Sequence, residues 1–394
     1  MIGVDDKNGP GGDLASLAMI ERLVGMPTVS RDSNLPLVEY ARDYLAGLGF
    51  AVRLIAGEGG RKANLFASIG PAGDGGVILS GHTDVVPVDG QDWSSDPFRL
   101  TRRDGRLYGR GTCDMKSFVA VALALAPAMA AARLKAPIHL AFSYDEEVGC
   151  LGVRPMLAEL ARQGLRAAAC IVGEPTGMQV VSAHKGKHSW RTRVRGFECH
   201  SSLAPTGVNA VEYAAELIAF LRALARRRAA EGPFDPAYDV PHTAVHVGTV
   251  SGGTALNIVP LDCAFDWEIR YLPGDDPLAL KAEVEALAGR LAAEMQARRP
   301  ATGITFEDLS SFPGLATPED APVVQLAKAL SGANATAKVA FGTEAGLFQE
   351  AGFPTVVCGP GSIDQAHKPD EFIALDQVAR CEAFVARLIA RLAA

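Results

Sequence analysis

No two of the seven cysteines (113, 150, 170, 199, 263, 358 and 381) form a CxxC pair. Their number is odd and their spacing irregular, so a disulfide framework is not expected and reduced thiols are. Positive charge is not in excess either. The formal net charge is −7, which gives no general attraction to nucleic acid. The one basic cluster, Arg222 with Arg226-Arg227-Arg228, falls in a helical pattern and reads as a solvated face. No apolar run is long enough to cross a bilayer: the most apolar segment, Phe118 to Ala132, is short and contains Pro127, and it reads as a buried helix. The start, Met1-Ile2-Gly3-Val4-Asp5-Asp6, lacks the basic and apolar pattern of a signal peptide. The expectation is a cytoplasmic protein without membrane or nucleic-acid partners. Internal repeats are absent. The pairs Gly109-x-Gly111 and Gly359-x-Gly361 lack the third glycine of a dinucleotide fingerprint, which argues against a nucleotide-binding protein.

The chain's 394 residues suggest roughly two domains. Leu37, Val38, Ala41, Tyr44, Leu45 and Leu48 repeat at helical spacing, with Gly49 as a stop. Short apolar runs follow at 52–55, 65–69 and 77–79, then a helix over 116–132, a strand over 138–144, a helix over 153–162 and a strand over 168–172. This order is that of an open α/β sheet with chemistry at the C-terminal ends of its strands. The middle differs. Strands at 179–183 and 189–194, a helix over 208–228, strands at 243–250 and 263–271 and a helix over 277–297 resemble a small α+β sandwich. After about residue 300 the α/β pattern returns, with a helix over 321–330, an apolar stretch at 337–341, a strand at 355–358 and a final helix over 375–392. The expected architecture is α/β. A discontinuous catalytic domain (1–182 and 294–394), with a mixed sheet flanked by helices, carries an inserted α+β domain (183–293).

Two histidine segments in strand-to-loop settings carry the functional signal: Ser80-Gly81-His82-Thr83-Asp84 and Gln365-Ala366-His367-Lys368-Pro369. Between them lie Gly111-Thr112-Cys113-Asp114-Met115-Lys116, Asp145-Glu146-Glu147 and Gly173-Glu174-Pro175-Thr176. Two histidines and several carboxylates, each closing an apolar run, are the ingredients of a two-metal hydrolytic site. His82 and Asp84 point to one face of a strand, so Asp84 is placed to accept from the ring of His82 and set its tautomer. Asp114 precedes a helix and reads locally as an N-cap; together with the other segments it reads as a ligand whose two oxygens can bridge two ions. Of Glu146 and Glu147, one is expected to bind metal and the other to take a proton from water. Pro175 biases Glu174 toward extended backbone. Cys113 reads as a small packing residue beside the site.

These segments resemble the acetylornithine deacetylase branch of the dinuclear zinc aminoacylase/exopeptidase family. The likeness also runs through Trp93–Phe98, Leu107–Lys116, His184-Lys185-Gly186, His200-Ser201-Ser202 with Gly207–Ala210, Gly252-Gly253 with Asn257, Arg270–Gly274, and Gly359–Ser362 through Ala366–Glu371. It implies that His82, Asp114 and Glu174 bind one metal and Asp114, Glu147 and His367 the other, that Asp84 orients His82, and that Glu146 is the general base. It implies two Zn²⁺ per subunit, replaceable by Co²⁺ or Mn²⁺, a cis peptide after Asp114, and a homodimer through the inserted domain, whose His200 reaches the partner's active site. Asn257 and Arg270 match residues near the substrate. The activity implied is hydrolysis of an N-acyl amino acid, acetylornithine first, in arginine biosynthesis; relatives include succinyl-diaminopimelate desuccinylase and glutamate carboxypeptidases. Arg270 suits an α-carboxylate or a structural ion pair. Gly361, within Gly359–Ser362, could present backbone N–H to that carboxylate or form only a tight turn. Glu344 could meet a substrate ammonium or be a first-turn helix acid. A non-catalytic metal-dependent binder is the contrasting reading, and the presence of Glu146 argues against it.

Overall fold

The short apolar runs assemble into a nine-stranded mixed sheet in the computed structural model, which describes residues 14–393. The strand order is Ala51–Ala56, Ala63–Ile69, Ile138–Ser143, Val77–His82, Ala169–Pro175, Thr355–Gly359, Val180–His184 and Leu315–Ala316, with Thr336–Val339 also pairing to Val180–His184. The four strands from Ile138–Ser143 to Thr355–Gly359 run parallel. Every residue of these four is buried, as parallel strands covered on both faces require. Their C-terminal ends share one edge. His82, the loop after Ser143, Glu174 and the turn after Gly359 therefore emerge together, where α/β sheets place their sites.

The helix Lys116–Ala124 is buried at every residue from Lys116 to Leu123. Close approach to the sheet is possible because Gly81 and Gly173 lack side chains. A Cβ on Gly81 would lie 2.8 Å from Met115, and one on Gly173 would lie 2.1 Å from the Phe118 ring. The glycines preceding His82 and Glu174 thus seat the helix whose start carries Asp114. The expected single helix over 116–132 is two, Lys116–Ala124 and Ala126–Ala131. Pro127 has no N–H to offer the carbonyl four residues earlier, and the chain breaks at Leu125.

Contacts divide the chain into two units. One holds the described chain up to Ala183, Leu315–Lys338 and the chain from Thr343; the other holds His184–Gly314 and Val339–Gly342. The second unit is one antiparallel sheet, ordered Ala244–Gly252, Asp262–Tyr271, Gly186–Arg195 and Gly303–Phe312, with helices Ala210–Glu231 and Pro277–Arg298. Asn209 caps the first helix by accepting from the Val211 and Glu212 N–H groups; Asp276 caps the second through Leu278, with Pro277 at its first position. Trp190, Phe265, Trp267 and Ile269 on the sheet pack with Leu217, Leu221 and Val284 on the helices. The unit extends past the expected limit at residue 293, which falls inside Pro277–Arg298. The strand Gly303–Phe312, not expected from the sequence, pairs along Gly186–Arg195 and closes the sheet.

A small sheet of Phe372–Ala374, Arg106–Tyr108 and Thr101–Arg103 joins the segment after His367 to the one before Asp114. All seven cysteines are free. Among the described residues no helix is long and apolar enough to cross a membrane.

Candidate metal centre

At the C-terminal edge of the parallel strands the two histidine segments and the carboxylates converge. His82 Nε2 lies 3.0 Å from Asp114 Oδ1 and 3.6 Å from Glu174 Oε1. The other oxygen of Asp114, Oδ2, lies 3.3 Å from His367 Nε2, which is also 2.9 Å from Glu147 Oε2. The two oxygens of Asp114 therefore face two different histidines. Ligand atoms of His82, Asp114 and Glu147, and again of His82, Glu146 and Glu174, fall within 4.8 Å of one another. By distance alone, Glu146 is not set apart from the ligand-type carboxylates.

Asp84 works differently from the expectation. His82 Nδ1 donates to its backbone carbonyl at 2.9 Å, while its carboxylate stands off at 3.6 Å. Nδ1 thus carries a proton, and Nε2 is the atom that faces the carboxylates. The Asp84 carboxylate instead accepts from Ser30 Oγ at 2.7 Å and from the backbone N–H groups of Glu146 and Glu147 at 3.2 and 3.4 Å. It holds the Glu146-Glu147 turn. The thiol of Cys150, which no sequence motif marks, donates to Glu146 Oε1 at 3.2 Å.

The electrostatics call for a cation. Burial raises Glu146 to about 8, against the pull of His82 and with repulsion from Glu147 and Asp114. Burial and Asp114 raise Glu147 to about 7. Glu174 is pushed well above the usual carboxylate range by burial and by Asp114, and its buried Oε1 has no hydrogen-bond partner. Bonds to Asp114 and Glu147 raise His367 to about 10 despite its partial burial. Crowded buried carboxylates, an orphaned oxygen and two converging imidazoles form a nitrogen–oxygen donor set that suits Zn²⁺ and similar divalent ions.

Three residues expected nearby are placed by their partners. Cys113 packs as a small residue, its thiol donating to the Ser362 carbonyl at 3.2 Å, and the peptide between Asp114 and Met115 is cis. Gly361 is buried, its φ of 88° is the left-handed conformation of a turn glycine, and its N–H donates to Gln377 Oε1 at 3.3 Å. Glu344 is 1% exposed. Its Oε1 accepts from Ser80 Oγ at 2.6 Å and its Oε2 from Ser143 Oγ at 2.7 Å. It ties together the strands that lead to His82 and to Glu146, and its burial with a serine hydroxyl on each oxygen gives it a structural role.

The model of peptidase family M20/M25/M40 matches residues 78–391. The chain belongs to this family. Among curated relatives of this M20/M25/M40 chain, an acetylornithine deacetylase of Myxococcus xanthus is 38% identical over 379 residues, covering 95% of this chain and 96% of the relative. Among solved structures, an M20 family metallo-carboxypeptidase from Sulfolobus solfataricus superposes with a TM-score of 0.75 at 19% identity, covering 95% of this chain and 98% of that one. A dinuclear metal-binding M20 peptidase from Bacillus subtilis gives 0.65 at 16% identity, covering 96% and 97%. Both share the fold.

The other expected residues of this family member lie in the second unit. His200 is exposed, and its Nδ1 accepts from the Ser202 N–H at 3.2 Å, which leaves the proton of the neutral ring on Nε2. Asn257, also exposed, is beside it: the Ser201 N–H donates to its carbonyl at 2.9 Å. Arg270 pairs with Glu268 at 2.9 Å on its own strand, the structural alternative of the two considered for it.

Proposed function

We propose that this chain is a dinuclear metal-dependent amidohydrolase that converts N2-acetyl-L-ornithine to L-ornithine and acetate, a step of arginine biosynthesis carried out in the cytoplasm. The observation that carries the chemistry is Asp114, whose two oxygens face His82 on one side and His367 on the other. His82, Asp114 and Glu174 would hold one ion and Asp114, Glu147 and His367 the second, both zinc, with cobalt or manganese as substitutes. Bound there, such ions supply Lewis-acid polarisation of an acyl oxygen and bring the pKa of water from 15.7 toward about 7.

The chain's own residues do the rest. Glu146 takes the proton of the attacking water on Oε2, since Cys150 holds Oε1, and returns it to the amine nitrogen as the amide bond breaks. Asp84 keeps Glu146 in place through its backbone N–H. In a homodimer formed through the inserted unit, the partner subunit's His200 donates Nε2–H to the oxyanion. Asn257 of that unit contacts the substrate, while Arg270 is engaged by Glu268.

The substrate assignment rests on the likeness to curated acetylornithine deacetylases over most of the chain, because Glu344 is engaged by Ser80 and Ser143. The test is kcat/KM of the zinc-loaded protein on N-acetyl-L-ornithine, N-succinyl-diaminopimelate and N-acetyl-L-methionine, with a chelated control. Preference for acetylornithine that disappears on chelation is expected. Preference for another amide keeps the chemistry and overturns the substrate; activity that survives chelation overturns the metal role.

A further inference from the structure

Glu371 follows His367 by four residues and is 1% exposed, as is Arg110. Its carboxylate is saturated by donors from one turn. Oε1 accepts from the backbone N–H groups of Cys113 at 2.8 Å and Asp114 at 3.1 Å. Oε2 accepts from Arg110 Nη1 at 2.7 Å and the Gly111 N–H at 3.1 Å. Its carbonyl accepts from the Gly109 N–H at 3.0 Å. Arg110 in turn donates to Gln91 Oε1, and Gln91 Nε2 donates to the carbonyl of His367 at 2.9 Å. Trp93 closes the group, donating to Gln91 at 3.0 Å and lying under the Arg110 guanidinium.

We infer that Glu371, with Arg110, is a positioning residue that sets the Asp114 turn against the His367 segment and so fixes the spacing of these two ligand side chains. The inference rests on the proposed reading that Asp114 and His367 share a metal ion. A carboxylate is the group this seat needs. It offers acceptors on both oxygens to four N–H donors and carries no proton of its own. Glutamine in its place presents an amide N–H to two of those donors, and the turn must shift to relieve them. Glu371 touches neither the ion nor the substrate in this role; it acts through the backbone of Asp114.

The experiment is calorimetric titration of the metal-free protein with Co²⁺, with the visible spectrum of the bound ion recorded, for wild type, Glu371→Gln, Arg110→Lys, Asp114→Asn and Val385→Ala. Glu371→Gln is expected to weaken Co²⁺ binding by about 10–100-fold and to alter the spectrum. Arg110→Lys, which keeps the charge and the two bonds to Oε1, is expected to change both in the same direction by less, and it carries the test if Glu371→Gln does not fold. Val385, buried in the helix Leu375–Leu392, controls for lost stability: its variant lowers Tm and leaves Co²⁺ affinity unchanged. Wild-type affinity and spectrum in Glu371→Gln, or in Arg110→Lys if that variant carries the test, with binding lost in Asp114→Asn, overturn the role of Glu371 alone. An equal loss in Val385→Ala also overturns it. Absence of Co²⁺ binding by wild type overturns the metal reading itself.

Discussion

Replacing Glu344 separates two accounts of the same residue. If it met the ammonium of the substrate, Glu344→Gln would raise KM for acetylornithine and spare N-acetyl-L-methionine. The structure predicts otherwise. Glutamine can keep both contacts: its carbonyl accepts from Ser143, while its amide donates to Ser80, whose hydroxyl turns to the Ala141 carbonyl at 3.4 Å. Stability is then little changed near pH 4.5. Burial raises the carboxyl above its ordinary value of 4.5. An acid whose folded pKa is raised binds more protons folded than unfolded, so wild type loses stability as pH rises from 4.5 through that raised pKa. Glutamine does not titrate, so Tm of Glu344→Gln relative to wild type should increase over that window. Alanine instead strands two buried hydroxyls, at roughly 1–3 kcal/mol each, with Ala141 partly relieving one; a loss of about 2–4 kcal/mol follows. At roughly 2–4 °C per kcal/mol for a domain somewhat smaller than this one, Tm falls by about 4–16 °C. The assay is calorimetry from pH 4.5 to 8 together with kcat/KM on both substrates. A tenfold rise in KM confined to acetylornithine, with Tm unmoved at every pH, would refute the reasoning.

Other expected outcomes are simpler. Glu146→Gln should retain Co²⁺ in the metal-free titration and lose about 10²–10⁴-fold in kcat; near-normal turnover with metal bound would remove Glu146 from the base role. Gly173→Ala drives a methyl into the Phe118 ring and should cost about 1–3 kcal/mol, read as a lower Tm; an unchanged Tm would show that the helix Lys116–Ala124 can move off the sheet. His200→Ala should lose about 10²–10³-fold in kcat. Once subunit exchange is demonstrated, mixing it with Glu146→Gln should restore part of the rate; no recovery would deny His200 a role in the partner's site.

The elements carrying these residues were largely legible from local pattern. The runs leading to His82, Glu146 and Glu174 are buried parallel strands, and the helices at 153–162 and 375–392 have the expected bounds. Each strand exit pairs an apolar run with polar or glycine residues, and that contrast is written within a few positions. The break at Leu125 was not expected, although Pro127 stands inside the helical pattern: a proline near the first turn of a new helix leaves the apolar periodicity on either side intact. The strand Gly303–Phe312 was harder to see. Ile304 and Phe306 alternate with Thr305 and Glu307, but what makes the segment a strand is its pairing with Gly186–Arg195.

The sequence by itself determined which residue types reach the C-terminal edge of the sheet, because burial periodicity and strand exits depend on near neighbours. Tertiary structure alone decided which atoms those residues offer. It turned His82 Nδ1 to a carbonyl, gave the Asp84 carboxylate to the Glu146-Glu147 turn, sank Glu344 between Ser80 and Ser143, and seated the Asp114 turn on Glu371. Those last two contacts join residues 264 and 258 positions apart. A hydrogen bond has a strict distance and angle, and no local pattern records where a partner so far along the chain will stand.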